Sequence, residues 1–242
     1  MGLGGNISMS MGEFQRDGTP YTRAGDRNTS GNGSVMRNAA VPLCFFRDPV
    51  RAVDVARRQS KTTHQGDEAA ECCAVMTWLA VRAMREPALD ARALLELLPQ
   101  FESALYSVQC LVNSRQEERH PSNASTQDLA DRNWNWRDPE YRYSPLRARS
   151  QPGYVGSYCM DALAMALHCV WSTDSFPAAL LKIVNMRGDS DSTGSVCGQI
   201  AGAIYGVGAI PQCWIDAVEQ WDGHGTIALR GVRLMKLLEP KQ

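Results

Sequence analysis

The sequence predicts an all-α fold, a compact single-domain helical bundle spanning residues 1–242. Three observations carry this. Apolar residues recur at the 3.6-residue period, as in Ala69, Cys72, Cys73, Met76, Leu79, Ala80 and Ala83. No apolar–polar alternation of useful strand length is present. Proline, glycine and aspartate fall between the periodic runs, where helices start and stop. No linker or internal repeat divides the chain.

The elements follow in order. A helical piece is expected from Ile7 to Arg16, after the glycines Gly2, Gly4 and Gly5. Thr29 to Ser34 has no periodicity and reads as a loop. Ala39 to Phe46 reads as a helix with an early proline. Asp48-Pro49 is a helix start, and Val50 to Lys61 continues it. Gln65 to Arg85 is a long helix that Pro87 ends. Leu89 to Leu111 forms one or two helices interrupted at Pro99. Tyr158 to Trp171 resumes the period through Met160, Leu163, Ala164, Leu167 and Val170. Asp174 to Val184 follows, with Thr173 or Asp174 as its cap. Ile210-Pro211 opens a helix carrying Trp214 and Trp221, and Ile227 to Leu238 is the last.

Composition narrows the class. The chain is 44% hydrophobic and 21% charged with a net charge of −1. These are values of a globular protein with no overall basic field for nucleic acid. Eight cysteines show no C-x-x-C and no zinc-like pairing with the four histidines. They read as buried free thiols in a reducing, cytoplasmic setting. Asn123-Ala124-Ser125 is formally a glycosylation acceptor, but no signal peptide or membrane span is expected. Residues 113–152 are polar, with Trp134, Trp136, Tyr141 and Tyr143 among arginines. Two readings apply: a nucleic-acid patch, or an ordered surface excursion, which Asp128, Asp131, Asp138 and Glu140 favour by diluting the charge.

The chemistry concentrates at Gly188-Asp189-Ser190-Asp191-Ser192-Thr193-Gly194. Residues two apart share a side of an extended segment, so Asp189 and Asp191 are expected to point the same way from a loop before a helix. Carboxylates that close need a proton or cation, and Mg2+ or Ca2+ suits oxygen ligands. Ser192 or Thr193 would ligate or cap. The plain alternative is a polar turn capping a buried helix. An EF-hand is excluded, because its twelfth position requires an acid and here holds Ile200. Beyond the loop, Gly194, Gly198, Gly202 and Gly206 form a row along one helix face, where a close-packed neighbour is expected.

Several blocks in order resemble the ADP-ribosylglycohydrolase family. Gly31-Asn32-Gly33-Ser34-Val35-Met36-Arg37 looks like its G-N-G-[SA]-x-M-R loop. Thr63-His64 looks like its T-H element. Gly153-Tyr154-Val155 precedes an L-x-x-A-L helix. Gly188 to Gly206 is similar to its G-D-x-D-[ST]-x-G block with the following glycine row, and Ile210-Pro211 with Trp214 closes the set. The resemblance covers the chain from Gly2 to about Leu238.

What the resemblance implies is a helical domain that uses Mg2+, two ions in the family, to hydrolyse the bond between ADP-ribose and a protein side chain or small acceptor. ADP-ribose or an ADP-ribosylated protein would be the partner. Asp189, Asp191 and Ser192 match metal ligands. Gly31, Asn32, Gly33, Ser34 and His64 match positions that hold diphosphate and ribose. Gly4 and Gly5 match a glycine loop beside the ribose, and Tyr154 and Tyr158 lie toward the adenosine end. From the residues alone, Asn32 reads equally as a turn asparagine, His64 as a cap, Arg37 as half of an ion pair, and the tyrosines as packing.

The family's opening acidic helix and T-D-D-T block have no counterpart here. The resemblance therefore puts the expected catalytic acidic residue upstream of Met1, and no residue of the chain is assigned that role. The expectation is an N-terminally truncated member with half of a dinuclear site and little or no hydrolase activity. The alternative is a non-catalytic ADP-ribose-binding module.

Overall fold

The computed structural model describes residues 4–22, 29–117, 133–142, 155–223 and 225–238. Met1, Gly2, Asp26, Asn123, Tyr143 and Tyr154 lie outside them. Helices α1 (Gly5–Asp17), α2 (Gly33–Met36), α3 (Ala40–Phe45), α4 (Pro49–Ser60) and α5 (Asp67–Arg85) come first. Then follow α6 (Ala91–Glu96), a 3-10 turn at Leu98–Gln100, α7 (Tyr106–Val112), α8 (Cys159–Trp171) and α9 (Phe176–Asn185). The chain continues through α10 (Ser190–Tyr205), α11 (Gln212–Asp222) and α12 (Thr226–Lys236). Among the described residues there is no sheet, only two isolated bridges. The all-α expectation holds.

The centre of the bundle is α8. Every residue from Cys159 to Val170 is buried, the signature of a helix enclosed on all sides. Around it stand α5, α10, α9 and α6, and α4 backs α5. Full burial of each Leu or Met side chain on these faces contributes about 1.5–3 kcal/mol. Helix starts follow local rules. Asp48 caps α4 by accepting from Arg51 N at 3.1 Å, with Pro49 in its first turn. Asp90 caps α6 through Ala93 N at 2.8 Å. The cap expected of Thr173 or Asp174 is not there. Ser175 occupies the position, and the Thr173 hydroxyl is spent on the Cys169 carbonyl of α8, at 2.6 Å. The helices α11 and α12 contain no buried residue, and Val218, Trp221, Ile227, Leu229 and Val232 are exposed on them.

Two expectations are corrected. The aromatic stretch is not a surface excursion where it is described. Trp134, Trp136 and Tyr141 are buried in the main core. Trp136 Nε1 donates to Leu111 O at 2.6 Å, and its ring meets Trp171 edge-on at 5.8 Å. Indoles that are packed this way cannot stack on bases. Glu140 and Arg142 stay exposed, Arg137 packs half-buried over the rings of Trp136 and Trp171, and the rings fill the gap between α7 and α8. The glycine row does face a neighbour, but less tightly than expected. A methyl at Gly194, Gly198 or Gly202 would lie 3.4, 3.8 or 3.9 Å from Val184, Leu180 or Phe176 of α9. That is ordinary contact. Gly206 is not part of the row: it ends α10 with φ +74.

The glycine that the fold does require is Gly188. It has φ +71, and a Cβ there would stand 2.5 Å from Val155 O. Gly188→Ala is therefore expected to lower stability by about 2 kcal/mol or more. Gly198→Ala, with room and better helix propensity, is expected to be neutral or stabilising by up to about 1 kcal/mol. Urea unfolding of the two variants beside the native chain checks both signs.

Candidate functional site

Three helices begin at one place. Asn32 precedes α2, Tyr158 precedes α8 and Asp189 precedes α10. Hydrogen bonds tie the three junctions together. Gly31 pairs with Tyr158 as an antiparallel bridge, Asn32 N donates to Ser157 O at 2.9 Å, and Cys159 N donates to Ser30 O at 3.0 Å. Asp189 N donates to Val155 O at 2.8 Å. Converging helix N-termini create a positive local field that favours an anionic ligand.

The side chains close the junction. Asn32 Nδ2 donates to Gly156 O and to Asp189 Oδ2, both at 2.9 Å. Ser157 Oγ donates to the same Asp189 oxygen at 2.9 Å. Burial pushes the Asp189 carboxyl up, but hydrogen bonds involving Ser192, Asn32, Ser157 and Asp191 outweigh it, and the carboxyl lies below its usual value. It is an anion at neutral pH. Asp191 and Ser192 follow Asp189 at the start of α10 and act on its titration, so the three expected ligands lie at one helix start. Their placement differs from the expectation in one respect. Asp189 alone is in the loop, whereas Asp191 and Ser192 lie in the first turn of α10. Asp191 is exposed, with its Oδ1 accepting from Ser192 N at 2.8 Å.

The residues of the Asn32 loop divide by what they face. Ser34 is fully buried, and its Oγ accepts from Ser60 Oγ at 2.8 Å, so its hydroxyl belongs to the core. His64 is brought against the loop: a methyl on Gly33 would lie 3.1 Å from the imidazole, and one on Gly31 3.6 Å. Its Nδ1 meets Thr63 Oγ1 at 2.8 Å. The ring is only 2% exposed. Burial, with the nearby Arg37 cation, pulls its pKa down to about 4. Gly4 and Gly5 are exposed at the start of α1. The turn that follows them reaches the loop, because Asn6 and Ile7 are the neighbours of Gly31 and Gly33. Asn6 also donates to Thr29 O. Among the described residues Arg37 is not half of an ion pair. Its partners among the described residues are Gln59 and Thr62, both neutral.

Sequence reasoning missed several contributors. Ser157 and Gly156 hold the Asp189 loop, and Gly156 has φ +85 with its Cα hydrogen side pressed on Thr193. A glycine-serine pair before a periodic run was the available signal. Glu68, in the first turn of α5, accepts from the Tyr158 hydroxyl, and Tyr158 lies beside Trp134 with ring centres 6.2 Å apart. No spacing pattern pairs residues ninety apart. Cys72, Cys73 and Cys159 are buried behind the loop. Burial raises all three thiols, Cys73 to about 12, which leaves them protonated and inert.

The donor set decides what cation fits. Asp189, Asp191 and Ser192 offer oxygen atoms of the kind Mg2+ takes, one or two carboxylates with several waters. Among the described residues no group of three or more His, Cys, Asp or Glu gathers that could hold a metal. Among these residues, too, no helix is long and apolar enough to cross a membrane.

Comparison with known proteins follows the same lines. The model of the ADP-ribosylglycohydrolase family matches residues 1–241. The chain is 28% identical over 211 residues to the ADP-ribosylarginine hydrolase Tri1 of Pseudomonas putida (strain GB-1), covering 86% of this chain and 47% of that protein. The Tri1 of Serratia proteamaculans (strain 568) is 24% identical over 230 residues, covering 93% of this chain and 53% of that protein. The ADP-ribosyl-[dinitrogen reductase] glycohydrolase of Rhodospirillum rubrum is 34% identical over 80 residues, covering 33% of this chain and 26% of that protein. The chain thus spans about half the length of the two Tri1 relatives it matches. A solved structure described as an ADP-ribosylglycohydrolase-related protein complex superposes with a TM-score of 0.71 at 28% identity, covering 96% of this chain and 69% of that one. On the fold, the ordered motifs and the match along its length, the chain belongs to the ADP-ribosylglycohydrolase family.

Proposed function

We propose that the junction of α2, α8 and α10 binds ADP-ribose and that the protein acts in hydrolysis of ADP-ribosyl bonds on proteins or small acceptors. The observation that supports this best is the Asn32–Asp189 hydrogen bond. It places the loop that resembles the family's ribose and diphosphate loop against the loop that resembles its metal ligands. In the reaction, water adds at the anomeric carbon of the ribose and the acceptor nitrogen or oxygen leaves with a proton.

The residues have distinct parts in that reading. The helix N-termini favour the diphosphate charge. Asn32 commits both amide hydrogens to Gly156 O and Asp189, so it orients the carboxylate. Ser157 donates to the same oxygen, which leaves Asp189 ionised and fixed in direction. His64 is neutral and supports Gly33 as packing. Tyr158, held by Glu68, forms the wall at the opposite side of Gly31. Asp189, Asp191 and Ser192 would hold one Mg2+, which when bound would polarise ribose hydroxyls and a water.

A second reading rests on the donor count. With no third acidic or imidazole ligand among the described residues, these residues alone support binding more directly than turnover, as in a non-catalytic ADP-ribose module. Calorimetry with ADP-ribose, with Mg2+ or with chelator, tests the shared part. Binding is expected, and Asn32→Ala and Asp189→Asn are each expected to weaken it by about tenfold or more, the loss of a charge-assisted hydrogen bond. No binding by the native chain would sink the proposal. An assay on ADP-ribosylarginine separates the readings: turnover lost in Asp189→Ala supports hydrolysis, whereas binding without turnover, persisting in chelator, supports the module.

His64 generates a pH dependence. An ordinary histidine titrates near 6.5 and this one near about 4. The unfolded chain therefore binds the proton more readily, and stability is lost as pH falls from about 6.5 to about 4. The full loss is on the order of 3–4 kcal/mol. Urea unfolding across that window is expected to show a steep acid limb, and His64→Gln to flatten it.

A further inference from the structure

The helix α2 carries the candidate ligand loop, and it is only four residues long. A helix leaves its last carbonyls without partners of its own. In a helix this short that is nearly all of them. Ser34 and Val35 are buried; Val35 O accepts locally from Asn38 N at 3.2 Å, and the other donors to this turn come from outside it. Two glutamines supply these donors from different helices. Gln59, in α4, donates from Nε2 to Ser34 O at 3.2 Å and to Asn38 Oδ1 at 3.1 Å. Its Oε1 accepts from Arg37 Nε at 3.0 Å, which orients the amide. Gln199, in α10, donates from Nε2 to Met36 O at 2.8 Å and Val35 O at 3.3 Å. The Gln199 Oε1 is buried with no partner among the described residues. An orphaned buried acceptor is unfavourable, so this amide is kept in place for its N–H groups.

We propose that Gln59 and Gln199 are positioning residues that clamp the carbonyls of α2 and hold Asn32 and the Gly31–Ser34 loop in ligand-binding geometry. The proposal rests on the ADP-ribose reading above for its effect on affinity. Gln199 stands about two turns along α10 from Asp191. One helix therefore carries both the carboxylates and the back of the clamp. The gap between the two loops is set twice, by Asn32 Nδ2 on Asp189 at 2.9 Å in front and by Gln199 on Met36 behind.

Two variants at Gln199 separate a donor from mere bulk. Gln199→Met fills the space and donates at no pH. In Gln199→Glu the new carboxyl donates when protonated and repels the carbonyls when ionised. Its burial beside carbonyls raises its titration above the ordinary value of about 4.3. ADP-ribose calorimetry on the full chain, beside the native protein, is run at about pH 7.5 and about pH 5. Gln199→Met is expected to bind about tenfold more weakly at both, and Gln199→Glu about tenfold more weakly at the higher pH only, recovering to within about threefold at the lower. Native affinity in both variants at the higher pH overturns the clamp, and so does a Gln199→Glu deficit that ignores pH. Amide hydrogen exchange of residues 34–38 without ligand is read on the same proteins. Exchange about tenfold faster in Gln199→Met, with the α5 amides unchanged, supports the clamp; unaltered exchange overturns it. Should the native chain fail to bind ADP-ribose, that reading falls alone and exchange decides the clamp.

Discussion

The site depends on one hydrogen bond between residues 157 positions apart, Asn32 Nδ2 to Asp189 Oδ2. Each partner is in a tight junction before a helix, and neither junction has much structure of its own. What brings them together is the burial of α8. Because that helix is enclosed on every side, the segment leading into it, Val155 to Tyr158, has to run between the other two junctions. Its backbone bonds to both: Ser157 O to Asn32 N and Val155 O to Asp189 N. The apolar core thus does the long-range work, and the polar groups fix the final geometry.

The cost of this arrangement falls on the backbone. Arg187 and Gly188 are both left-handed, with φ of 67 and 71. The second is an ordinary use of glycine and the first is not. Two such residues in succession turn the chain sharply out of α9, so that Asp189 meets Val155 rather than continuing a helix. An unusual conformation of this kind persists only when the surroundings over-determine it. Here the carbonyl of Val155, the amide of Asn32 and the hydroxyl of Ser157 all do so.

Much of the fold was legible in the sequence. The 3.6-residue period of Cys72, Met76 and Leu79 depends only on which face is apolar, and it placed α5 within two residues at its start. Asp48-Pro49 was read correctly because capping is local. Legibility failed where the cause is tertiary. Trp134 and Trp136 lie in a polar stretch, and no pattern reveals that indoles flanked by charges fill the space beside α7 and α8. The glycine row signals closeness, but only the identity of the neighbours, Val184, Leu180 and Phe176, shows that a methyl would fit. In the site, motif order named Asp189, Asp191, Ser192 and Asn32 together, and Asn32 and Asp189 are hydrogen-bonded in the fold. It could not show that the Ser34 hydroxyl turns inward to Ser60, because a motif reports residue types and not directions.

That inward turn explains why the loop is built of polar residues at all. Without Gln59 and Gln199 the carbonyls of Ser34 and Met36 would lose these side-chain donors, each a loss of about 1–3 kcal/mol. Ser34, Asn38, Gln59 and Thr77 form a connected set, with Asn38 Nδ2 reaching Thr77 Oγ1 at 2.8 Å inside α5. A satisfied buried network of this kind is rigid, because a hydrogen bond has a direction and an apolar contact has not. A loop meant to hold a ligand gains from rigidity, since whatever ordering is done in folding need not be done again on binding. The polar core beneath Asn32 is in that sense part of the site, although no ligand would touch it.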